Sequence, residues 1–298
     1  MWISVAGSES WRVGVVESFR TADGRTLSYR RLGEGPTLVC HPGGPGFSSR
    51  YFADLGGLGA DRTLILLNPR GTEGSDPPAD PRAYETEEYA GDVEELRAHL
   101  ALDAIDLLGH SHGGVVATAY AAARPERVRK LVLASTLARF AADQEAAMEA
   151  GMEAKAGEPW YADARAALEA EQAGEFSTPQ EMSALVFREL PFYFAHFDEV
   201  ARAHLDSLAD EVLCADALKH FNDEIFPTFD LRGELAEIRA PTLVITGEQD
   251  FITGPVCAAE IGAALPGAET VILPSAGHMT FIESPDAFRA EVGRFLAA

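Results

Sequence analysis

Short, continuous apolar runs recur along this chain and alternate with stretches of helical character. Thr37–Cys40, Thr63–Leu67, Ile105–Leu108, Val128–Ala134, Pro241–Gly247 and Thr270–Pro274 are apolar mostly at consecutive positions, not alternating ones. That pattern predicts strands buried on both faces. Ahead of them, Trp11–Phe19 and Leu27–Leu32 read as two strands joined across Thr21-Ala22-Asp23-Gly24, where Asp-Gly supplies turn chemistry. Between strands the apolar residues return at helical spacing. Ala90, Val93, Leu96 and Leu100 share one face of a helix over Thr86–Leu100, and Phe288, Val292 and Phe295 share one over Asp286–Leu296. Strands alternating with helices predict an α/β fold: a mostly parallel sheet covered by helices on both faces.

The alternation stops between residues 136 and 237. This segment is rich in Ala and Glu and has no strand-like run, and Gly157-Glu158-Pro159, Gly174 and Ser177-Thr178-Pro179 punctuate it. Helical pieces are predicted over Asp143–Ala156, Ala162–Ala173, Pro179–Leu190 and Asp198–His220. We read residues 136–237 as a helical cap inserted into a core domain of residues 1–135 and 238–298. A helical layer of the core itself is the other reading. A chain of 298 residues is long enough for either.

Charge narrows the partners. With 24 Lys+Arg against 47 Asp+Glu, the net charge is −23. A surface of that sign repels phosphate backbones and anionic lipid, so no nucleic acid and no membrane surface is expected as a partner. A small-molecule substrate is; a homo-oligomer stays open. Cys40, Cys214 and Cys257 form no zinc-type pair and no disulfide framework. The Met1–Val5 start lacks the basic residues and sustained apolar run of a secretory signal, and no run reaches the ~18 apolar residues of a membrane span. A cytoplasmic location is the expectation.

Candidate chemistry centres on Ile105–Gly114. A short strand runs into Gly109-His110-Ser111-His112-Gly113, and a helix follows through Val115, Val116, Ala119 and Tyr120. G-x-S-x-G between a strand and a helix predicts a sharp turn that holds the serine hydroxyl clear of the backbone. The helix starts at the serine, so its free N–H groups face any developing oxyanion. A serine nucleophile also needs a base, an orienting acid and a second oxyanion donor. Asp250 follows one predicted strand and His278 follows the next, so both are expected at strand carboxyl ends, where open parallel sheets bind ligands. The chain order serine, acid, histidine fits Ser111, Asp250 and His278, with Glu248, Asp223 and Asp230 as reserve acids. Gly43 or Gly44 would supply one oxyanion N–H and His112 the other. His110 and His112 flank the serine on a tight turn with no third ligand in view, so no metal is expected. No cofactor is required.

With these motifs the chain resembles the α/β-hydrolases that carry a helical cap, over nearly its whole length. Within them it is most similar to the proline iminopeptidase group, through the Gly113-Gly114 pair closing the elbow, the Gly43-Gly44-Pro45-Gly46 loop and Asn68-Pro69-Arg70-Gly71. It departs from that group at Pro42, where a His would align, at Asn68 and Glu73, and in lacking the cap signature; Trp160 is the cap's only tryptophan. The run His41–Gly46 can equally be set against the loop of carbon–carbon-bond hydrolases. The resemblance implies a serine hydrolase working through an acyl-enzyme on a small amide or ester, with an aminopeptidase first. A carboxylesterase or lactonase and a carbon–carbon-bond hydrolase are the alternatives. A carrier-bound acyl hydrolase and a non-hydrolytic small-ligand receptor lie further off. Substrate contacts are expected from His41, Glu73, Phe192 and Tyr193, with Glu73 and the cap acids able to hold a substrate amine.

Overall fold

The apolar runs line up side by side in a computed structural model of the chain, which describes residues 14–298. The readings of Met1–Val5 and of Trp11–Val13 lie outside the described residues. Eight strands are described: β1 (Val15–Arg20), β2 (Thr26–Leu32), β3 (Thr37–His41), β4 (Thr63–Asn68), β5 (Ile105–His110), β6 (Val128–Ala134), β7 (Thr242–Gly247) and β8 (Glu269–Leu273). They form one sheet in the order β1-β2-β4-β3-β5-β6-β7-β8. The β1–β2 hairpin and the β2–β4 pair are antiparallel, and every later pairing is parallel.

Consecutive apolar residues in the strands serve two cores, because successive side chains point to opposite faces. On one face, Val39, Ile65, Leu107, Leu131, Leu133 and Val244 pack against helices α1 (Thr86–His99) and α2 (His112–Ala123). On the other, Leu38, Leu66, Leu108, Val132, Leu243 and Ile245 meet Phe288, Val292 and Phe295. Both clusters are built of buried apolar side chains.

Between β6 and β7 come helices α3 (Ala142–Glu153), α4 (Tyr161–Gln172), α5 (Pro179–Glu189), α6 (Glu199–Asp206), α7 (Ala215–His220) and α8 (Arg232–Leu235). After β7 come α9 (Pro255–Ala264), α10 (Thr280–Glu283) and α11 (Pro285–Ala297). The helix expected over Asp198–His220 is instead two, α6 and α7. The break is held open by bonds that a continuous helix could not make. Leu213 N–H donates to Ser183 Oγ at 2.9 Å, Cys214 N–H to Gly46 C=O at 3.0 Å, and Glu211 Oε1 accepts from Ser48 N–H at 2.7 Å. The last two tie the helical insertion to the loop after β3, and the first joins it to α5. A second tie is Glu283, whose carboxylate accepts from Ala195 N–H at 2.5 Å and from Gly277 N–H at 2.8 Å. His278 N–H donates to Tyr193 C=O at 2.8 Å alongside it. No helix among the described residues is long and apolar enough to cross a membrane.

Candidate active site

Four loops leave the carboxyl ends of β3, β5, β7 and β8 and meet at one rim of the sheet. The turn after β5 is the sharpest. Ser111 sits at φ 56° and ψ −124°, a conformation that costs a non-glycine residue of order 1–3 kcal/mol. Its surroundings hold it there: Ser111 N–H donates to Ala134 C=O at 3.0 Å, and Thr136 Oγ1 donates to Ser111 C=O at 2.7 Å. The glycines on either side allow contact, not flexibility. A Cβ on Gly113 would stand 2.1 Å from His41 O, and one on Gly109 would stand 2.2 Å from Gly113 O.

Asp250 and His278 are joined. His278 Nδ1 lies 3.0 Å from Asp250 Oδ2 and 3.1 Å from Thr253 Oγ1, and both side chains are buried. With a carboxylate as its partner, Nδ1 carries the proton and Nε2 is left as the acceptor. Asp250 is held as an anion. Its Oδ1 accepts from Ile252 N–H at 3.1 Å and Thr253 N–H at 3.0 Å. Thr253 Oγ1, at 2.9 Å, and Thr246 Oγ1, at 3.2 Å, also donate to Oδ2. Burial alone would raise its pKa, but His278 and these donors outweigh that and hold it well below the usual carboxylate range. Of the reserve acids, Glu248 is exposed, Asp223 pairs with Lys219, and Asp230 pairs with Arg232.

Ser111 and His278 border the same cavity, of about 740 Å³. Among the described residues no hydrogen bond joins Ser111 Oγ to the imidazole. A hydroxyl and its base are often loosely aligned until substrate is bound. Gly43 lies directly over the serine, where a Cβ would be 2.6 Å from Ser111 Cβ and 3.2 Å from Oγ. Its N–H, however, is already taken, donating to the Tyr51 hydroxyl at 2.6 Å. Gly44 and His112 also line the cavity, and their N–H groups form no hydrogen bond among the described residues. His112 opens α2, where a helix leaves its first amides unpaired.

The expected substrate contacts divide. Tyr193 lines the cavity, its ring 5.2 Å from that of His278 in an edge contact. Three others do not line it. His41 is fully buried behind the loop, with Nδ1 2.8 Å from Pro42 O and its ring against Tyr89. Glu73 turns back to β2 and pairs with Arg30 through both carboxylate oxygens. Phe192 packs against Trp160 and Tyr161 of the helical insertion and against Phe251 of the loop after β7. An aromatic face satisfied by helix packing has nothing left for a ligand.

The helical insertion instead brings Glu171 and Glu189 into the cavity wall, both buried. Among the described residues Glu189 Oε2 is enclosed with no hydrogen-bond partner, and Glu171 Oε1 is 3.3 Å from Asn222 Nδ2. Burial raises the pKa of both carboxyls, and for Glu189 the Glu171 charge adds to it. Burial raises the Tyr193 phenol, and the charges of Glu189, Glu171 and Asp250 raise it further. The sequence hides these two among 47 acids. Each falls at the carboxyl-terminal end of its helix, α4 or α5. A serine on a strained turn, a carboxylate-backed imidazole and free amides can together carry acyl transfer, and a desolvated acidic pair can hold a cation beside it. No cluster of metal-ligating side chains occurs among the described residues.

A family model described as the α/β hydrolase fold matches residues 36–285. A proline iminopeptidase of Levilactobacillus brevis is 30% identical over 274 residues, covering 88% of this chain and 88% of that protein. Another from Lactiplantibacillus plantarum is 26% identical, covering 92% and 96%. Among solved structures, the enol-lactonase of Burkholderia xenovorans LB400 superposes with a TM-score of 0.72 at 27% identity, covering 95% of this chain and 100% of that one. The proline iminopeptidase of Mycobacterium smegmatis gives 0.73 at 23% identity, covering 95% and 98%, which speaks to the fold alone.

Proposed function

The chain belongs to the α/β-hydrolase family and, within it, to the proline iminopeptidase group, and from that premise we propose that it releases the amino-terminal residue of small peptides or amides. Ser111 Oγ attacks the carbonyl carbon while its proton passes to His278 Nε2. Gly44 and His112 N–H hold the oxyanion, and Asp250 stabilises the imidazolium. The proton then goes to the departing amine nitrogen as the C–N bond breaks, leaving an ester on Ser111. Water, deprotonated by His278, hydrolyses that ester and frees the amino acid. Residues 136–237 act as the cap that supplies the roof. Buried thiols at Cys40 and Cys257 suit a reducing, cytoplasmic setting.

The observation that carries this reading is the buried Glu171–Glu189 pair in the wall of the cavity that Ser111 lines. Two desolvated carboxyls are costly to keep unless a cation visits them. A substrate's free ammonium is such a cation. Turnover of a prolyl arylamide, its N-acetylated form and a short-chain aryl ester tests it. The free-amine arylamide is expected to be preferred by at least about tenfold in kcat/KM over the acetylated one, the scale of one lost charge-assisted bond. Equal rates would sink the amine reading. A lactonase or esterase is the second reading, supported by the 27% identity to an enol-lactonase, and it requires the ester to win.

A further inference from the structure

The geometry points to Tyr51 and His110 as positioning residues that lock the oxyanion loop to the nucleophile turn and to the histidine loop. Three hydrogen bonds form an unbroken chain across the floor of the site. Gly43 N–H donates to Tyr51 Oη at 2.6 Å, Tyr51 Oη lies 2.8 Å from His110 Nδ1, and His110 Nε2 lies 3.0 Å from His278 C=O. With a neutral His110 ring, only one arrangement of protons satisfies all three. The carbonyl of His278 can only accept, so Nε2 carries the imidazole proton and Nδ1 is the acceptor. Tyr51 must then donate to Nδ1, leaving its lone pairs for Gly43 N–H.

Both rings are buried, and burial pushes the His110 pKa down to about 3, so the ring is neutral and this tautomer persists across the working range. The consequence lies at Gly43–Gly44. Two adjacent glycines leave this stretch free to rotate, and Gly44 already sits at φ 123°. Fixing the Gly43 amide fixes the peptide plane before the Gly44 N–H, the donor proposed for the oxyanion. His110 precedes Ser111 directly, so one network sets the nucleophile, the oxyanion donor and the backbone of the base. A preorganised donor of this kind contributes mainly when charge develops on the substrate oxygen.

The inference rests on Ser111 as nucleophile, and fluorophosphonate labelling of the unsubstituted chain tests that premise separately. Tyr51→Phe keeps the ring and removes the hydroxyl. It should lower kcat about 10- to 100-fold with KM within about threefold, since each removed oxyanion donor is worth ~10²–10³ and a displaced one less. Affinity for an α-aminoboronic acid with a free amine, such as boroproline, which becomes tetrahedral on Ser111, should fall in parallel, while affinity for the free amino-acid product stays unchanged. His110→Gln, which can keep the bond to His278 C=O but not the one to Tyr51, should show the same split. The double variant should lose little more than either single one. A lowered melting temperature with undiminished kcat and boronate affinity in both folded variants would overturn the inference while leaving the serine mechanism standing. No labelling and no turnover in the unsubstituted chain would overturn both.

Discussion

Replacing Asp250 by Asn removes one charge and almost no volume. The loss is large because of where that charge sits. As Ser111 attacks, the His278 imidazole becomes a cation 3.0 Å from Asp250 Oδ2, and both side chains are at most 2% exposed. At an effective dielectric constant of ~20, unit charges at that separation attract by about 5 kcal/mol, close to four decades in rate. A second effect acts the same way. The amide NH₂ would face His278 Nδ1 and favour the tautomer with its proton on Nε2, which cannot accept from serine. The fold should survive, since Ile252 and Thr253 N–H still find an oxygen at the Oδ1 position. We expect kcat to fall about 10⁴-fold with KM within a few-fold, measured in the steady state on a prolyl arylamide, with an unchanged circular-dichroism spectrum. A folded Asn variant within tenfold of the parent would refute the role given to this carboxylate.

Glu189→Gln should raise stability and weaken substrate binding together. Burial raises this carboxyl, so the folded state holds its proton more tightly than the unfolded chain, and stability falls as pH climbs above the ordinary 4.5. The gain in melting temperature should therefore be small at pH 5 and grow toward pH 8, while KM for an amine substrate rises about tenfold; a gain that shrinks with pH would contradict the sign. Binding of free proline should release protons near neutral pH as the acidic pair ionises against the ammonium, seen as a buffer-dependent heat in titration calorimetry. Gly113→Ala should cost at least ~3 kcal/mol or abolish folding, because the new Cβ meets His41 O at 2.1 Å and Pro42 O at 2.5 Å, backbone atoms that cannot yield. Denaturant melts would measure it, and a loss below ~1 kcal/mol would count against so tight a crossing.

The sheet was legible because its strands are written as uninterrupted apolar runs, and the elbow because G-x-S-x-G falls where a strand must become a helix. Asp250 and His278 were legible for a topological reason: each follows a strand, and parallel strands deliver their exits to the same rim. The helical insertion was legible only as composition. Its contacts are made by residues whose role depends on what faces them, so Phe192 and Tyr193 are neighbours of like character, yet one packs into helices and the other meets His278. Glu73 misled because its partner, Arg30, lies 43 positions away on another strand. Tyr51 carried no signal at all, since nothing in a lone tyrosine after a glycine loop announces that its hydroxyl bridges that loop to His110.

Stability and function separate between Asp250 and the Glu171–Glu189 pair. Asp250 is buried among five donors, so its charge is compensated within the chain and its depressed pKa stabilises the fold above the ordinary carboxylate range. Glu171 and Glu189 are buried with one long contact, from Asn222 to Glu171, so among the described residues their charges find no counter-charge and work against the fold at neutral pH. A folded chain sheds such a cost by a single substitution to Gln unless something outside the chain supplies the missing counter-charge. That pair, Tyr193 and Ser111 all line one cavity, so a ligand that brings a cation to the acids shares that space with the Ser111 hydroxyl. An α-ammonium next to a scissile carbonyl has that shape, whereas a neutral ester or lactone would leave both acids as they are.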